Sequence, residues 1–329
     1  MKKALVAALT IASLVCAQAQ AETTTPKKKA VASKSASKSS TKSASTHAAR
    51  KSNIKQAALQ GDHLVGESLP PSAAALGIQS SAFLVQDQMT GSVLYEKNAS
   101  AVVPIASITK LMTAMVSLDA QPGLHDVMTI SEEDVDMLKG TRSRLKVGTQ
   151  LTREEMLRLA LMSSENRAAS ALSRYYPGGR PAFVAAMNRK AQALGLVDTH
   201  FEDSTGLTSA NVSSARDLVK MVAAAHQYPL IREFTTTAEY DVIVDGRVQE
   251  FHNTNSLVRN ENSGWDIGLS KTGFINEAGK CLVMQAWFNR KPIIIVLLDS
   301  WGKMTRIGDA NRIKKAVERY AQNAKPNTI

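Results

Sequence analysis

Cysteine is nearly absent from this 329-residue chain, which removes a disulfide framework from consideration. The two that occur are Cys16 and Cys281. Cys16 falls in residues 1–21, which read as a secretory signal peptide. Lys2 and Lys3 open it, residues 4–15 are apolar, and Ala19-Gln20-Ala21 is a small-x-small cleavage site. Bulky Val15 argues against lipid attachment at Cys16, so cleavage is expected after Ala21, delivering the protein to the periplasm. Cys281 is then the lone thiol. It sits in the apolar run Cys281-Leu282-Val283-Met284, with no electropositive neighbour to activate it, and reads as an inert core residue. Long hydrophobic runs are missing too, since the leader's apolar stretch is too short to span a bilayer. Histidine is scarce, and His47, His63, His125, His200, His226 and His252 form no His-Glu-x-x-His pair. The metalloprotease signature is therefore absent, and neither metal nor cofactor is expected.

Residues 22–55 hold a single acidic residue and no Phe, Trp or Tyr. Nine Lys and Arg face the single acid Glu22, a surplus of +8, in a stretch of Lys, Ser, Ala and Thr. Subtracting that surplus and the two leader lysines from the formal +11 leaves about +1 for residues 56–329. The basic character belongs to a tether too polar to fold, expected over residues 22–75. Such a segment offers loose, salt-screened contact with anionic cell wall or lipid headgroups. It has no aromatic to stack on a base, and with an export signal and a neutral body, nucleic acid is not an expected partner.

The folded part is expected over residues 76–322, followed by a polar tail, 323–329. Ala82-Phe83-Leu84-Val85 and Ser92-Val93-Leu94-Tyr95 are β-prone runs around Gly91, a hairpin pattern. Residues 107–118 form a helix with a mostly apolar surface, hence a central one. Thr152 with Glu155 makes a capping box ahead of the apolar residues 156–162. Helices are also expected at 181–194 and 214–226, strands at 240–244, 281–288 and 292–298. A terminal helix capped by Asp309 places Ala310, Ile313, Val317 and Tyr320 on one face. The order is strands, helices, strands, helix. It predicts an α/β (α+β) fold, an antiparallel sheet flanked by helices, with an inserted helical lobe at about 120–232.

Three short motifs carry chemistry. In Ser107-Ile108-Thr109-Lys110 the serine and lysine are three apart at a helix start, so the amine reaches the hydroxyl. A serine hydroxyl needs a neighbouring base to become a nucleophile, and a buried lysine can serve. The pattern recurs at Ser35, Ser39, Ser52, Ser143 and Ser300, but only Ser107 opens an apolar helix that could desolvate its lysine. Ser164-Glu165-Asn166 follows an apolar helix; a hydroxyl there can pass a proton and an amide can hold substrate. Ser209-Ala210-Asn211 repeats that pattern inside a polar turn. Lys271-Thr272-Gly273, on a strand, offers charge and a hydroxyl to a carboxylate, and glycine admits substrate backbone. Fifty-seven residues separate Ser107 from Ser164, and 107 separate Ser164 from Lys271.

In this order the trio resembles the signature of penicillin-binding proteins and class A β-lactamases. The runs Pro104-Ile105-Ala106-Ser107-Ile108-Thr109-Lys110-Leu111-Met112, Leu161-Met162-Ser163-Ser164-Glu165-Asn166-Arg167 and Lys271-Thr272-Gly273-Phe274 look like low-molecular-mass penicillin-binding proteins. Ser164-Glu165-Asn166-Arg167 and Tyr176-Pro177-Gly178-Gly179 are most similar to the D-alanyl-D-alanine endopeptidases of the penicillin-binding protein 7 type. Thr205-Gly206-Leu207, Arg216-Asp217-Leu218 and Asn253-Thr254-Asn255 fit the same pattern. The likeness spans residues 80–322.

The resemblance implies a transpeptidase-like sheet with a helical lobe and a cleft between them. It implies that Ser107 attacks a D-Ala carbonyl of a peptidoglycan stem, that Lys110 is its base and that Ser164 relays the proton. Asn166 would hold substrate, Lys271 and Thr272 would bind carboxylate beside Gly273, and the backbone N–H groups of Ser107 and Phe274 would form the oxyanion hole. β-Lactam antibiotics would acylate the same serine.

Three rival readings stand beside the endopeptidase. A class A β-lactamase needs a glutamate for deacylation, and no Glu-x-x-Leu-Asn lies between Ser164 and Lys271. A D-Ala-D-Ala carboxypeptidase uses the same groups, but often adds a β-rich domain and a C-terminal amphipathic helix, neither of which is expected in the 56 residues after Gly273 with their polar Lys325-Pro326-Asn327 end. A sensor that is acylated without turnover is the reading of another class.

Overall fold

The computed structural model describes residues 73–323 apart from 122 and 245. All of them fall in one unit, residues 63–329. The expected leader, the basic segment up to residue 72 and the tail from 324 lie outside the described residues. Ala73–Leu76 form a 3-10 turn, and the last helix runs on to Asn323.

Strands β1 (Ala82–Asp87) and β2 (Val93–Lys97) make the expected hairpin. A short strand β3 (Val103–Pro104) leads into helix α1 (Thr109–Asp119). Strands β4 (Val127–Thr129) and β5 (Gln150–Thr152) pair ahead of α2 (Arg153–Met162), α3 (Asn166–Arg174) and α4 (Gly179–Ala193). Strand β6 (Val212–Ser213) returns to pair with β3 and is followed by α5 (Ala215–Ala225) and α6 (Pro229–Thr236). A separate hairpin, β7 (Glu239–Val244) with β8 (Arg247–His252), and a single turn α7 (Ser256–Arg259) precede the last three strands. These are β9 (Ile267–Ile275), β10 (Gly279–Phe288) and β11 (Lys291–Ser300), and α8 (Thr305–Asn323) ends the fold.

The main sheet is antiparallel throughout, in the order β2-β1-β11-β10-β9. Its central strands are buried on both faces, which is why the run 292–298 reads as almost wholly apolar. Alternation divides them between two cores. Leu84, Val283, Ile294 and Val296 point into the helical side with α1 and α5, whereas Phe83, Leu282, Ile295 and Leu297 meet α8 through Ala310, Ile313 and Val317. The lobe's last helix ends at Thr236. Two expectations are corrected. The strand at 240–244 pairs only with β8, apart from the main sheet. Asp309 does not cap the terminal helix, which starts at Thr305. Its buried carboxylate instead accepts from Ser80 N at 2.8 Å and Ser80 Oγ at 2.6 Å, fastening the entry to β1 onto α8. Tyr320, expected on the same face, has a side chain outside those described.

Candidate active site

Ser107 lies in a 3-10 turn, Ala106–Ile108, immediately before α1. In such a turn side chains three apart nearly eclipse, which sets the Ser107 hydroxyl over Lys110. Lys110 Nζ donates to Ser107 Oγ at 2.9 Å, to Asn166 Oδ1 at 2.8 Å and to the Thr205 carbonyl at 2.6 Å. The lysine is fully buried, and loss of water pulls its pKa down to about 7, against smaller upward pulls from Asp203 and Glu165. A neutral amine keeps two donors for Asn166 and Thr205 and turns its lone pair to the serine proton.

The turn is held by close contacts. Ala106 adopts φ +48°, a left-handed conformation that costs a residue with a side chain about 1–3 kcal/mol. The loop carrying Thr205 packs directly beneath it. Gly206, itself at φ +81°, has room only for hydrogen, since a Cβ there would stand 2.0 Å from the Ala106 carbonyl oxygen. Asn211 pins this loop: its Nδ2 donates to Thr109 Oγ1 at 3.0 Å and its Oδ1 accepts from Glu202 N at 2.7 Å. The second Ser-x-Asn pattern is therefore a brace for the nucleophile's turn.

Ser164 occupies the junction of α2 and α3 at φ +63°. The preceding Ser163 closes α2 by donating to Leu159 O at 2.9 Å, which leaves Ser164 Oγ facing Lys271 Nζ at 2.9 Å. Lys271 is buried, and desolvation with the nearby charges of Lys110 and Arg306 holds its pKa well below the usual lysine value. Thr272 Oγ1 donates to Thr254 Oγ1 at 2.6 Å, and Thr254 N donates to Met162 O at 2.9 Å, tying β9 to the end of α2. On Gly273 a Cβ would lie 3.1 Å from Ser107 N, so glycine is what lets β9 pass this close to the nucleophile.

All three motifs therefore border one open cleft of about 440 Å³, lined by Ser107, Ser164, Asn166, Thr272, Gly273 and Phe274, with Lys110 and Lys271 bonded to its two serines from beneath. The decoy serines lie elsewhere. Ser143 donates to Glu165 Oε2 at 2.6 Å, and buried Ser300 pairs with Ser80 at 2.6 Å. Ser35, Ser39 and Ser52 are outside the described residues. Cys281 is buried, and burial pushes its thiol up to about 11, as befits an inert core residue. Among the described residues one group has metal-ligand chemistry close together, the exposed Glu239, Glu250 and His252 on β7 and β8, and none of them lines the cleft.

Sequence reasoning missed Thr141, whose hydroxyl accepts from Asn166 Nδ2 at 3.0 Å, as well as Lys139 and Arg306. Arg306 reaches the cleft from α8 and donates to the Gly273 and Cys281 carbonyls, both at 3.2 Å. Its position in a terminal helix, 35 residues beyond Lys271, gave no local signal. The carbonyl of Thr205 has no signal in side-chain chemistry at all.

Two serine–lysine pairs and an asparagine thus surround one cleft. The D-alanyl-D-alanine carboxypeptidase family, peptidase S11, matches residues 70–302. The chain belongs to that family. A D-alanyl-D-alanine endopeptidase of Pseudomonas aeruginosa is 49% identical to it over 255 residues, 76% of this chain and 82% of its own. One from Escherichia coli is 45% identical over 243 residues, 73% and 78% of the two chains. The crystal structure of the Streptomyces K15 DD-transpeptidase is similar with a TM-score of 0.67 at 30% identity, over 73% of this chain and 97% of its own. The S11 chain thus has the transpeptidase-like fold expected from its motifs.

Proposed function

We propose that this S11 protein is a serine D-alanyl-D-alanine endopeptidase acting on peptidoglycan crosslinks. The observation that carries it is the buried, weakly basic Lys110 amine 2.9 Å from Ser107 Oγ, in a cleft where Lys271 stands behind Ser164. Ser107 Oγ attacks the D-Ala carbonyl as its proton passes to Lys110. The oxyanion is met by the Ser107 and Phe274 backbone N–H groups. Ser164, backed by Lys271, relays the proton to the departing amine, the side-chain nitrogen of the neighbouring stem's diamino acid. Asn166 holds the acyl portion. Thr272, Lys271 and Arg306 provide hydroxyl and positive charge for the carboxylate beside that amine. Water then releases the acyl group from Ser107.

The endopeptidase reading draws support from the two relatives at 45–49% identity, both named for that activity. β-Lactams, whose strained amide stands in for the scissile one, would be trapped on Ser107. Export by residues 1–21, with residues 22–75 as a basic tether ahead of the catalytic domain, places the enzyme in the periplasm. No helix among the described residues is long and apolar enough to cross a membrane. The test is product analysis. Purified protein given crosslinked dimeric muropeptides should release monomers, and given monomeric pentapeptide should release little D-Ala. Release of D-Ala with dimers left intact would make it a carboxypeptidase, the activity in the family's name.

A further inference from the structure

An ion pair spans the cleft at one end. Lys139 lines the cleft from the loop between β4 and β5, and its Nζ meets Glu277 Oε1 at 2.5 Å. Glu277 follows β9 in the turn to β10. Neither residue belongs to the three motifs. The loop that carries Lys139 is firmly set, because the Asp136 carboxylate accepts from Leu138 N at 2.8 Å, Lys139 N at 2.9 Å and Thr141 N at 2.9 Å. Thr141 Oγ1 donates to the same carboxylate at 2.7 Å while accepting from Asn166 Nδ2 at 3.0 Å. The backbone bearing Lys139 is thus fixed relative to the asparagine that Lys110 contacts. Only the side chain is free to change partner.

Both charges are partly exposed, 28% for Lys139 and 44% for Glu277. An exposed ion pair adds little net stability, because water solvates each charge nearly as well, so exchanging one carboxylate for another costs little. Position supplies the ligand. Gly273 abuts Ser107 and marks the level of the scissile bond. The acyl-transfer reading puts Thr272 on the leaving-group side, so residues 275–277 continue along the acyl side. An extended chain advances about 3.3 Å per residue, which puts Glu277 at most about 13 Å past Gly273. The stem peptide preceding the scissile D-Ala comes within reach of Lys139 in its first few residues.

We infer that Lys139 is a specificity residue for anionic stem peptides, leaving Glu277 to pair with a substrate carboxylate two to four residues before the scissile D-Ala. This rests on the acyl-transfer reading above. Glu277 is the internal anion that occupies the lysine until substrate arrives.

The test uses two crosslinked peptide dimers that differ only in whether the stem carboxylates at those positions are free or converted to carboxamides. With Lys139→Ala, KM for the free-acid dimer should rise about tenfold with kcat little changed, and KM for the carboxamide dimer should stay within about twofold of wild type. Lys139→Arg should restore the preference for the free acid. Glu277→Gln, which removes the competing charge, should lower KM for the free-acid dimer about threefold. Equal KM shifts for both dimers, or none, in a Lys139→Ala protein that still labels with fluorescent penicillin would overturn the inference. Should that variant fail to label, Glu277→Gln decides alone, and an unchanged or raised KM overturns it. Wild-type protein that labels but cleaves neither dimer would refute the crosslink-endopeptidase reading and this inference with it.

Discussion

Lys271 Nζ donates to Ser164 Oγ over 2.9 Å, and the arrangement repeats what Lys110 does for Ser107. Each serine hydroxyl in the cleft is thus backed by a lysine that burial has made reluctant to hold its proton. The symmetry has a use. One pair takes a proton from the nucleophile while the other can hand one to the leaving amine, so neither step needs a histidine or a carboxylate.

Lys110 sets a pH dependence. With its pKa near 7, the ammonium dominates below that pH and cannot accept the Ser107 proton. The second-order rate of acylation by penicillin should therefore climb about tenfold per pH unit below 7 and level off above it. Stopped-flow labelling across pH 5.5–8.5 measures this, and a rate that stays flat over the range would remove Lys110 as the base.

Glu165 offers a finer probe of the same group. Its partly buried carboxylate bears on Lys110 as a nearby negative charge that favours the ammonium, so it raises the lysine's pKa. Glu165→Gln preserves the contact from Ser143 Oγ while removing the charge. The rising limb of the pH profile should move to lower pH, by up to about one unit. Movement to higher pH would mean that the carboxylate acts on the site in some other way.

Much of this site could be read in the sequence, because its parts are short and local. Ser107 and Lys110 are three residues apart, Ser164 and Asn166 two, and Lys271, Thr272 and Gly273 are consecutive. Each motif needs only its own turn or strand to present its groups. Arg306, Thr141 and Lys139 could not be read, since each reaches the cleft through tertiary packing of a separate element. The sheet was legible because its central strands are short, continuous β-prone apolar runs bounded by polar turns, the pattern of strands buried on both faces. The pairing of β7 with β8 alone was not, because strand character says nothing about which neighbour a strand will choose.

Six serines stand three residues before a lysine, which gives the nucleophile assignment an internal control. Ser107→Ala should abolish covalent labelling by fluorescent penicillin, whereas substitutions at Ser35, Ser39 and Ser52 should leave labelling at wild-type level. Gel fluorescence reads this directly. Persistent labelling of the Ser107→Ala protein would place the acyl group elsewhere.

The basic segment can be separated from the chemistry. Removal of residues 22–55, with the leader retained, takes away the +8 surplus and leaves a nearly neutral body. Turnover of soluble muropeptides should be unchanged, while sedimentation with purified cell wall at low salt should fall toward the level seen for the full protein at high salt. A marked loss of turnover on the soluble substrate would give the segment a part in the reaction.

Gly206→Ala tests the brace beneath the nucleophile. The added methyl carbon would lie 2.0 Å from the Ala106 carbonyl oxygen and 2.9 Å from Thr109 Oγ1, in a backbone already at φ +81°. Something must move. The loop is held by Asn211 and by Asp203, whose Oδ1 accepts from Thr205 N at 2.8 Å, so the strain should pass to the turn carrying Ser107. Stability should drop by about 2–4 kcal/mol, roughly 5–10 °C in Tm for a domain of this size. Acylation should slow even at temperatures where the protein remains folded, because the Ser107–Lys110 contact depends on where that turn sits. A variant with wild-type Tm and labelling rate would show that the loop and turn can separate freely, and the Thr205 carbonyl would then lose its place as a fixed partner of Lys110.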